Sequence, residues 1–300
     1  MTTEFQYATD PRALRRRRDR IATRYDGAAA LPDELVRRML ERLDVVRLPA
    51  GPILDLGCAT GAGVRALRER YPDVDVLGAD PSVAMLSIAR QRDPGRLRWL
   101  PRLSGRASLC VCTVPALVPF RAGTFAMLWS NLLSIAFRDP PKAWRALGGL
   151  LQPGGLITFT MPGPDTLGEL RNALRVAGLA PSVMPFPDMH DVGDSLVAAG
   201  FADPVMDAEH VTLTYPDFGA VLRDLRDLGA TDVSSSRRRG LLGAKGWRDV
   251  EAAYEHHRSD GRLPVTIEVV HGHAWWPEHG PKRTAEGLDV IRVARPVRRV

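Results

Sequence analysis

Between residues 53 and 161, short apolar runs alternate with amphipathic stretches at a spacing that predicts parallel strands joined by crossover helices. Ile53 to Leu56, Val74 to Asp80, Phe125 to Asn131 and Leu156 to Phe159 read as strands. Ahead of this block, residues 12 to 47 carry the periodicity of one or two helices around Tyr25-Asp26. Beyond it, Pro164 to Gly178 and Met189 to Ala199 predict helices, the second ended by Gly200-Phe201. Val205 to Tyr215 reads as a strand, Pro216 to Gly229 as an amphipathic helix, Ser234 to Gly246 as a basic loop, Trp247 to Arg258 as a helix, and Val265 to Trp275 as a β-branched strand. The pattern predicts an α/β fold. The pattern divides the chain into an N-terminal helical segment (1–50), a core (51–161), the remaining strands with inserted helices (162–280) and a Pro- and Arg-rich tail (281–300).

The first strand runs into Gly57-Cys58-Ala59-Thr60-Gly61-Ala62-Gly63, a glycine-rich turn followed by helix-compatible residues. Such a turn lets backbone approach a ligand closely and makes a cradle of nucleotide dimensions. Asp80 lies 23 residues beyond Gly57, at the tip of the next strand, where the hydroxyls of a ribose would sit. Turns that hold a pyrophosphate read G-x-G-x-x-G, whereas here the pattern is acidic-x-small-x-small-x-Gly from Asp55 to Gly61.

That pattern resembles motif I of the class I S-adenosylmethionine methyltransferases, whose cofactor carries no phosphate. The resemblance implies a Rossmann-like sheet with N-terminal helices and a helical substrate lid. It also implies S-adenosylmethionine held by Asp55, Leu56, Gly57, Cys58, Ala59 and Gly61 of the turn, by Asp80, Pro81 and Met85 on the next strand and helix, and by Asn131. Asp80 would accept from both ribose hydroxyls, and Asp55 would support the turn or the cofactor's ammonium. Leu150-Leu151-Gln152-Pro153-Gly154-Gly155 resembles the family's L-x-P-G-G motif, with Pro153 expected to stop a helix and the glycines to turn the chain into the next strand.

Composition narrows the setting. With 300 residues and 45% apolar content the chain can bury a substantial core. No apolar run is long enough to span a bilayer, and Cys58, Cys110 and Cys112 offer neither a disulfide framework nor a paired zinc spacing. A cytoplasmic, reducing location and no membrane association are expected. The net charge of +6 is concentrated in arginines, at 15–18, 20 and 24 and again at 237–239. Such clusters attract polyanions or are solvated helix faces. Without interleaved aromatics they favour an acidic protein over nucleic acid, and no nucleic acid partner is expected.

Beyond the generic motifs, the chain from Tyr25 to Trp275 resembles the malonyl-acyl carrier protein O-methyltransferases of biotin synthesis. The residues are Arg24-Tyr25-Asp26, Ser130-Asn131-Leu132, Gly163-Pro164-Asp165-Thr166-Leu167 with Glu169-Leu170-Arg171, Asp188-Met189-His190-Asp191-Val192-Gly193-Asp194, and Gly272-His273-Ala274-Trp275. The resemblance implies methyl transfer to the free carboxylate of a malonyl thioester borne by an acidic acyl carrier protein. Arg171 would orient that carboxylate and Tyr25 would close over the site. Arginines of the N-terminal segment or of 237–239 would receive the carrier.

Four features depart from the family pattern. Ala59 stands for a glycine, Val114 lies nearest the place of an acid, Ala136-Phe137 replaces a tryptophan, and Pro162 stands where an aromatic precedes Gly-Pro-Asp-Thr. Two other readings stay open: a methyltransferase of another small molecule, and an assembly protein of the same fold that binds the cofactor weakly. His271 and His273 share a strand face, but without a third ligand no metal is expected. Cys58 has no neighbouring base and reads as a packing residue.

Overall fold

The computed structural model describes residues 10–92, 109–111, 120–133, 139–179, 183, 186–230 and 243–278. Val114, Ala136-Phe137, Arg237 to Arg239 and the tail lie outside them. Helix α1 (Pro11–Ile21) starts where the Asp10 carboxylate accepts the N–H groups of Arg12 and Ala13, with Pro11 in the first turn. A short 3₁₀ turn at Tyr25–Gly27 leads to α2 (Ala30–Arg42). The core then alternates as expected: β1 (Ile53–Leu56), α3 (Ala62–Arg70), β2 (Val76–Asp80), α4 (Val83–Gln91), β3 (Leu109–Val111), β4 (Phe125–Ser130), α5 (Pro140–Gly148) and β5 (Leu151–Pro162). The last third supplies α6 (Gly168–Val176), α7 (Met189–Ala199), β6 (Ala202–Tyr215), α8 (Phe218–Asp227), α9 (Ala244–Glu255) and β7 (Leu263–Trp275).

Seven strands form one sheet in the order β3-β2-β1-β4-β5-β7-β6. The first five are parallel, and β7 runs antiparallel to both β5 and β6. The strand order reverses between β1 and β4, the position at which open α/β sheets leave a crevice beyond the carboxyl ends of their strands. Leu56, Asp80 and Ser130 end β1, β2 and β4 on that edge. β4 is buried at all six positions, as a strand covered by helices on both faces must be, whereas β6 at the sheet edge is partly exposed along its length and carries Asp203, Asp207 and Glu209. No helix among the described residues is long and apolar enough to cross a membrane.

One expected boundary is corrected. α5 ends at Gly148, before Pro153, and Pro153-Gly154-Gly155 belongs to β5. Pro153 therefore does not stop a helix. Gly154 takes a left-handed backbone (φ +76) beside a register shift against β4, and its N–H donates to the Trp276 carbonyl while Trp276 N–H donates to Gly155. The glycines let β5 kink and accept the chain leaving β7.

Close approach of β7 to β5 depends on Gly272, which faces Phe159 in the register. A Cβ on Gly272 would lie 2.3 Å from the Phe159 ring, which also packs on Trp144 at 5.1 Å between centroids. Gly272→Ala should destabilise the protein by about 1–3 kcal/mol, the usual cost of overpacking a core. Urea denaturation with an unchanged m-value would show it, and a shift below about 0.5 kcal/mol would mean that Phe159 can move aside.

Candidate active site

The turn after β1 is set by backbone geometry. Gly57 (φ +83), Ala59 (φ +45) and Gly61 (φ +85) are all left-handed, and the N–H groups of Gly57 and Cys58 both donate to the Ala79 carbonyl of β2. A side chain on Gly57 would meet nothing within 4 Å, so room is kept beside the turn. Alanine in the left-handed region costs about 1–2 kcal/mol. The Ala59 methyl is buried with Ile21, Ala22 and Met85, and Tyr25 packs against this group. It therefore faces the end of α1, and removing it would trade packing against strain.

Asp80 has no exposed surface. Its Oδ1 accepts the Ser82 N–H at 2.8 Å, and its Oδ2 accepts the Ala59 N–H at 3.1 Å and Arg18 Nη1 at 2.9 Å. α1 thus reaches over the turn and closes on the acid expected to meet a ribose. Further contacts fasten the same helix and the 3₁₀ turn that follows it. Ser82 Oγ donates to Asp19 at 2.6 Å, Thr60 Oγ1 donates to Asp26 at 2.6 Å, and Arg92 also binds Asp26. Tyr25 is half-buried, and desolvation raises its phenol pKa, opposed by Arg18 and assisted by Asp80, Asp33 and Asp55.

Asp55 points elsewhere. It lies beneath the first turn of α3, where a Cβ on Gly63 would sit 2.5 Å from its Oδ2 and the Val64 N–H donates to it. Burial, followed by repulsion from Asp80, pushes its pKa up to about 8. Asp55 supports the turn from below. Leu56 and Cys58 are buried, the Leu56 carbonyl accepts Ser130 Oγ at 2.6 Å, Met85 is fully buried on α4, and Pro81 sits between Asp80 and the Ser82 cap of that helix. Asn131 joins three elements, donating to the Pro32 carbonyl at 2.7 Å and accepting from Thr160 at 2.8 Å.

Arg171 has a different neighbourhood. On α6 its guanidinium donates to the Pro164 carbonyl, and its charged neighbours are Asp165, Glu169 and Glu268, none shared with Tyr25. Those acids are committed to other groups: Glu169 to Thr266, Glu268 to the Asp165 N–H, and Asp165 to His210 at 3.3 Å. Arg171 makes no ion pair among the described residues, and burial lowers its pKa. A Cβ on Gly163 would lie 2.3 Å from the Glu268 carboxyl carbon, so the Gly-Pro-Asp turn is packed directly on β7. Of the two β7 histidines His271 and His273, buried His271 bonds Glu209 at 2.8 Å through Nε2. Both line a small cavity with Arg42 and Asp207.

The chemistry present fits an adenosyl group: a glycine turn with room beside Gly57 and a carboxylate on the adjoining strand tip, covered on its outer side by the Arg18 guanidinium, which would have to yield to a ribose. Arg18 and Asp26 were not foreseen as parts of this site. The signal for Arg18 is the inward spacing of Leu14, Arg18, Ile21 and Tyr25, at intervals of three and four.

Sheet order, turn and strand-tip acid define a class I S-adenosylmethionine-dependent methyltransferase. Residues 54–159 match the family described as a methyltransferase domain. A putative methyltransferase from Bacillus halodurans C-125 superposes with a TM-score of 0.54 at 15% identity, covering 81% of this chain and 98% of that one. The malonyl-[acyl-carrier protein] O-methyltransferase of Laribacter hongkongensis is 43% identical over 288 residues, 95% of this chain and 96% of the relative. That of Gallionella capsiferriformans is 39% identical over 289 residues, 96% and 98% of the two chains. The chain belongs to the malonyl-acyl carrier protein O-methyltransferase family.

In the cofactor-free protein Asp55 keeps its proton up to about pH 8, while in the unfolded chain it releases it near about pH 4. Between those limits the folded state holds the extra proton, so this group's contribution to stability falls as pH rises through the window and is constant above it. Asp55→Asn should therefore gain on the wild type in denaturation midpoint as pH is raised across that range. Parallel curves for the two proteins would reject the raised pKa.

Proposed function

We propose that this protein transfers a methyl group from S-adenosylmethionine to the free carboxylate of a malonyl thioester on an acidic acyl carrier protein, in the cytoplasm, as a step in biotin precursor synthesis. Kinship with relatives of that name along nearly the whole chain, joined to an adenosyl-type cradle, carries the proposal. The cofactor supplies an electrophilic methyl on a sulfonium. Asp80 and the Ala59 and Gly57 backbone would hold its adenosyl part, with Pro81, Met85, Cys58, Gly61 and Leu56 shaping the walls. Asp55 and Asn131 would fix the strand tips from below and beside.

A substrate carboxylate with a pKa near ~4 is ionised at neutral pH, so the reaction requires orientation rather than a general base. We assign orientation to Arg171, whose half-buried guanidinium meets a backbone carbonyl and no carboxylate among the described residues. Residues 1–50 and 162–280 would act as lid and cap on core 51–161. Tyr25 and α1 would exclude water, which strengthens opposite-charge attraction as the carboxylate nears the sulfonium.

Mass spectrometry of malonyl carrier protein incubated with the protein and S-adenosylmethionine should show the gain of one methyl group, with malonyl-coenzyme A in parallel. Cofactor binding without transfer would move the search to other small molecules, and no binding at all would favour the assembly reading. Arg171→Ala should leave cofactor affinity unchanged while lowering kcat/KM at least about tenfold. An unaltered kcat/KM would remove Arg171 from the carboxylate site.

A further inference from the structure

α1 has two faces with different occupations. Inward, Ile21 is buried, Arg18 binds Asp80, and the side chain of Asp19 reaches Ser82. Outward, Arg12, Arg16 and Arg20 recur every fourth residue, which stacks them on one stripe of a helix. All three are exposed, and none of their side chains pairs with a described residue. Arg15, also exposed, flanks the stripe and reaches Asp19 only at 3.8 Å. Some exposed arginines elsewhere have partners: Arg37 has Glu34 and Glu41, Arg42 has Asp207, Arg24 has Asp227, and Arg258 has Glu255; others, such as Arg47 and Arg121, have none among the described residues but do not line a helix face. Around α1 the acids are turned away from the stripe. Asp26 is spent on Thr60 and Arg92, and Asp80 on Arg18. What remains outside is a row of positive charge without an acidic partner among the described residues.

We propose that this Arg12-Arg16-Arg20 stripe is the docking surface for the carrier protein, an inference that rests on the function proposed above. A malonyl group arrives on a tethered arm of fixed length, so the body of its carrier must settle beside the mouth of the methyl-transfer site. α1 lies on the rim of that site through Arg18-Asp80 and Asp19-Ser82. A row of guanidinium groups along one helix matches a small acidic domain in sign, and its field steers encounter before contact is made. The docked carrier then lies against the helix that closes the cradle.

The test uses the full-length protein and its triple variant R12E/R16E/R20E, with malonyl carrier protein and, in parallel, malonyl-pantetheine, which lacks the acidic domain. The expected result is a KM for the carrier substrate raised by about tenfold or more and a loss of its dependence on salt. The malonyl-pantetheine rate and the calorimetric affinity for S-adenosylmethionine stay unchanged. An unaltered carrier KM overturns the docking surface while leaving the reaction intact. Failure of the wild type itself to methylate malonyl carrier protein overturns the reaction and the surface together. Should both substrates slow in the triple variant, R16E alone decides: a rise in carrier KM without change on malonyl-pantetheine supports the surface, and equal behaviour on the two substrates overturns it.

Discussion

The Asp80 carboxylate is the point on which the cradle depends. A buried charge is costly unless hydrogen bonds and opposite charge surround it. Three parts of the chain meet that demand: the turn after β1 through Ala59, the start of α4 through Ser82, and α1 through Arg18. One acid therefore fixes the curvature of the glycine turn, the placement of a helix terminus and the position of α1. Removing any partner leaves the others organised around an undercompensated charge.

Asp55 and Asp80 sit on neighbouring strands yet meet burial differently. Asp80 is surrounded by donors and a cation. Asp55 has the helix terminus above it and repulsion from Asp80 beside it, and takes up a proton instead. The pair lets two carboxylates occupy one sheet edge without two full charges. The arrangement also explains Gly63: a side chain there would collide with Asp55, and α3 could not descend far enough for its N–H groups to reach the acid.

Much of the architecture was legible because strand and helix periods differ and the boundary residues are strong. Gly57, Gly61 and Gly200 occupy left-handed positions, and Ser82, Asp188 and Asp217 cap helices. The Pro153-Gly154-Gly155 segment misled because proline and glycine also serve irregular strands, and only pairing with Trp276 shows which use applies. Within the site, strand-tip residues were legible since their place follows from local order. Arg18 was not, because in sequence it is one of four consecutive arginines. Its distinction comes from helical phase and a partner 62 residues away. Asp26 likewise depends on Thr60, a contact that no local pattern encodes.

The packing of Gly163 on Glu268 has an evolutionary consequence. The glycine lies in one of the blocks that carry the family resemblance, yet its lack of a side chain is required by a carboxylate 105 positions later on another strand. Glu268 in turn accepts the Asp165 N–H. A lineage that changes either residue alone acquires a clash or an unpaired amide, so drift at the two sites is expected to be joint. Part of the family's signature is therefore a record of how two distant segments are joined, and retention of that block marks descent more surely than it marks the substrate.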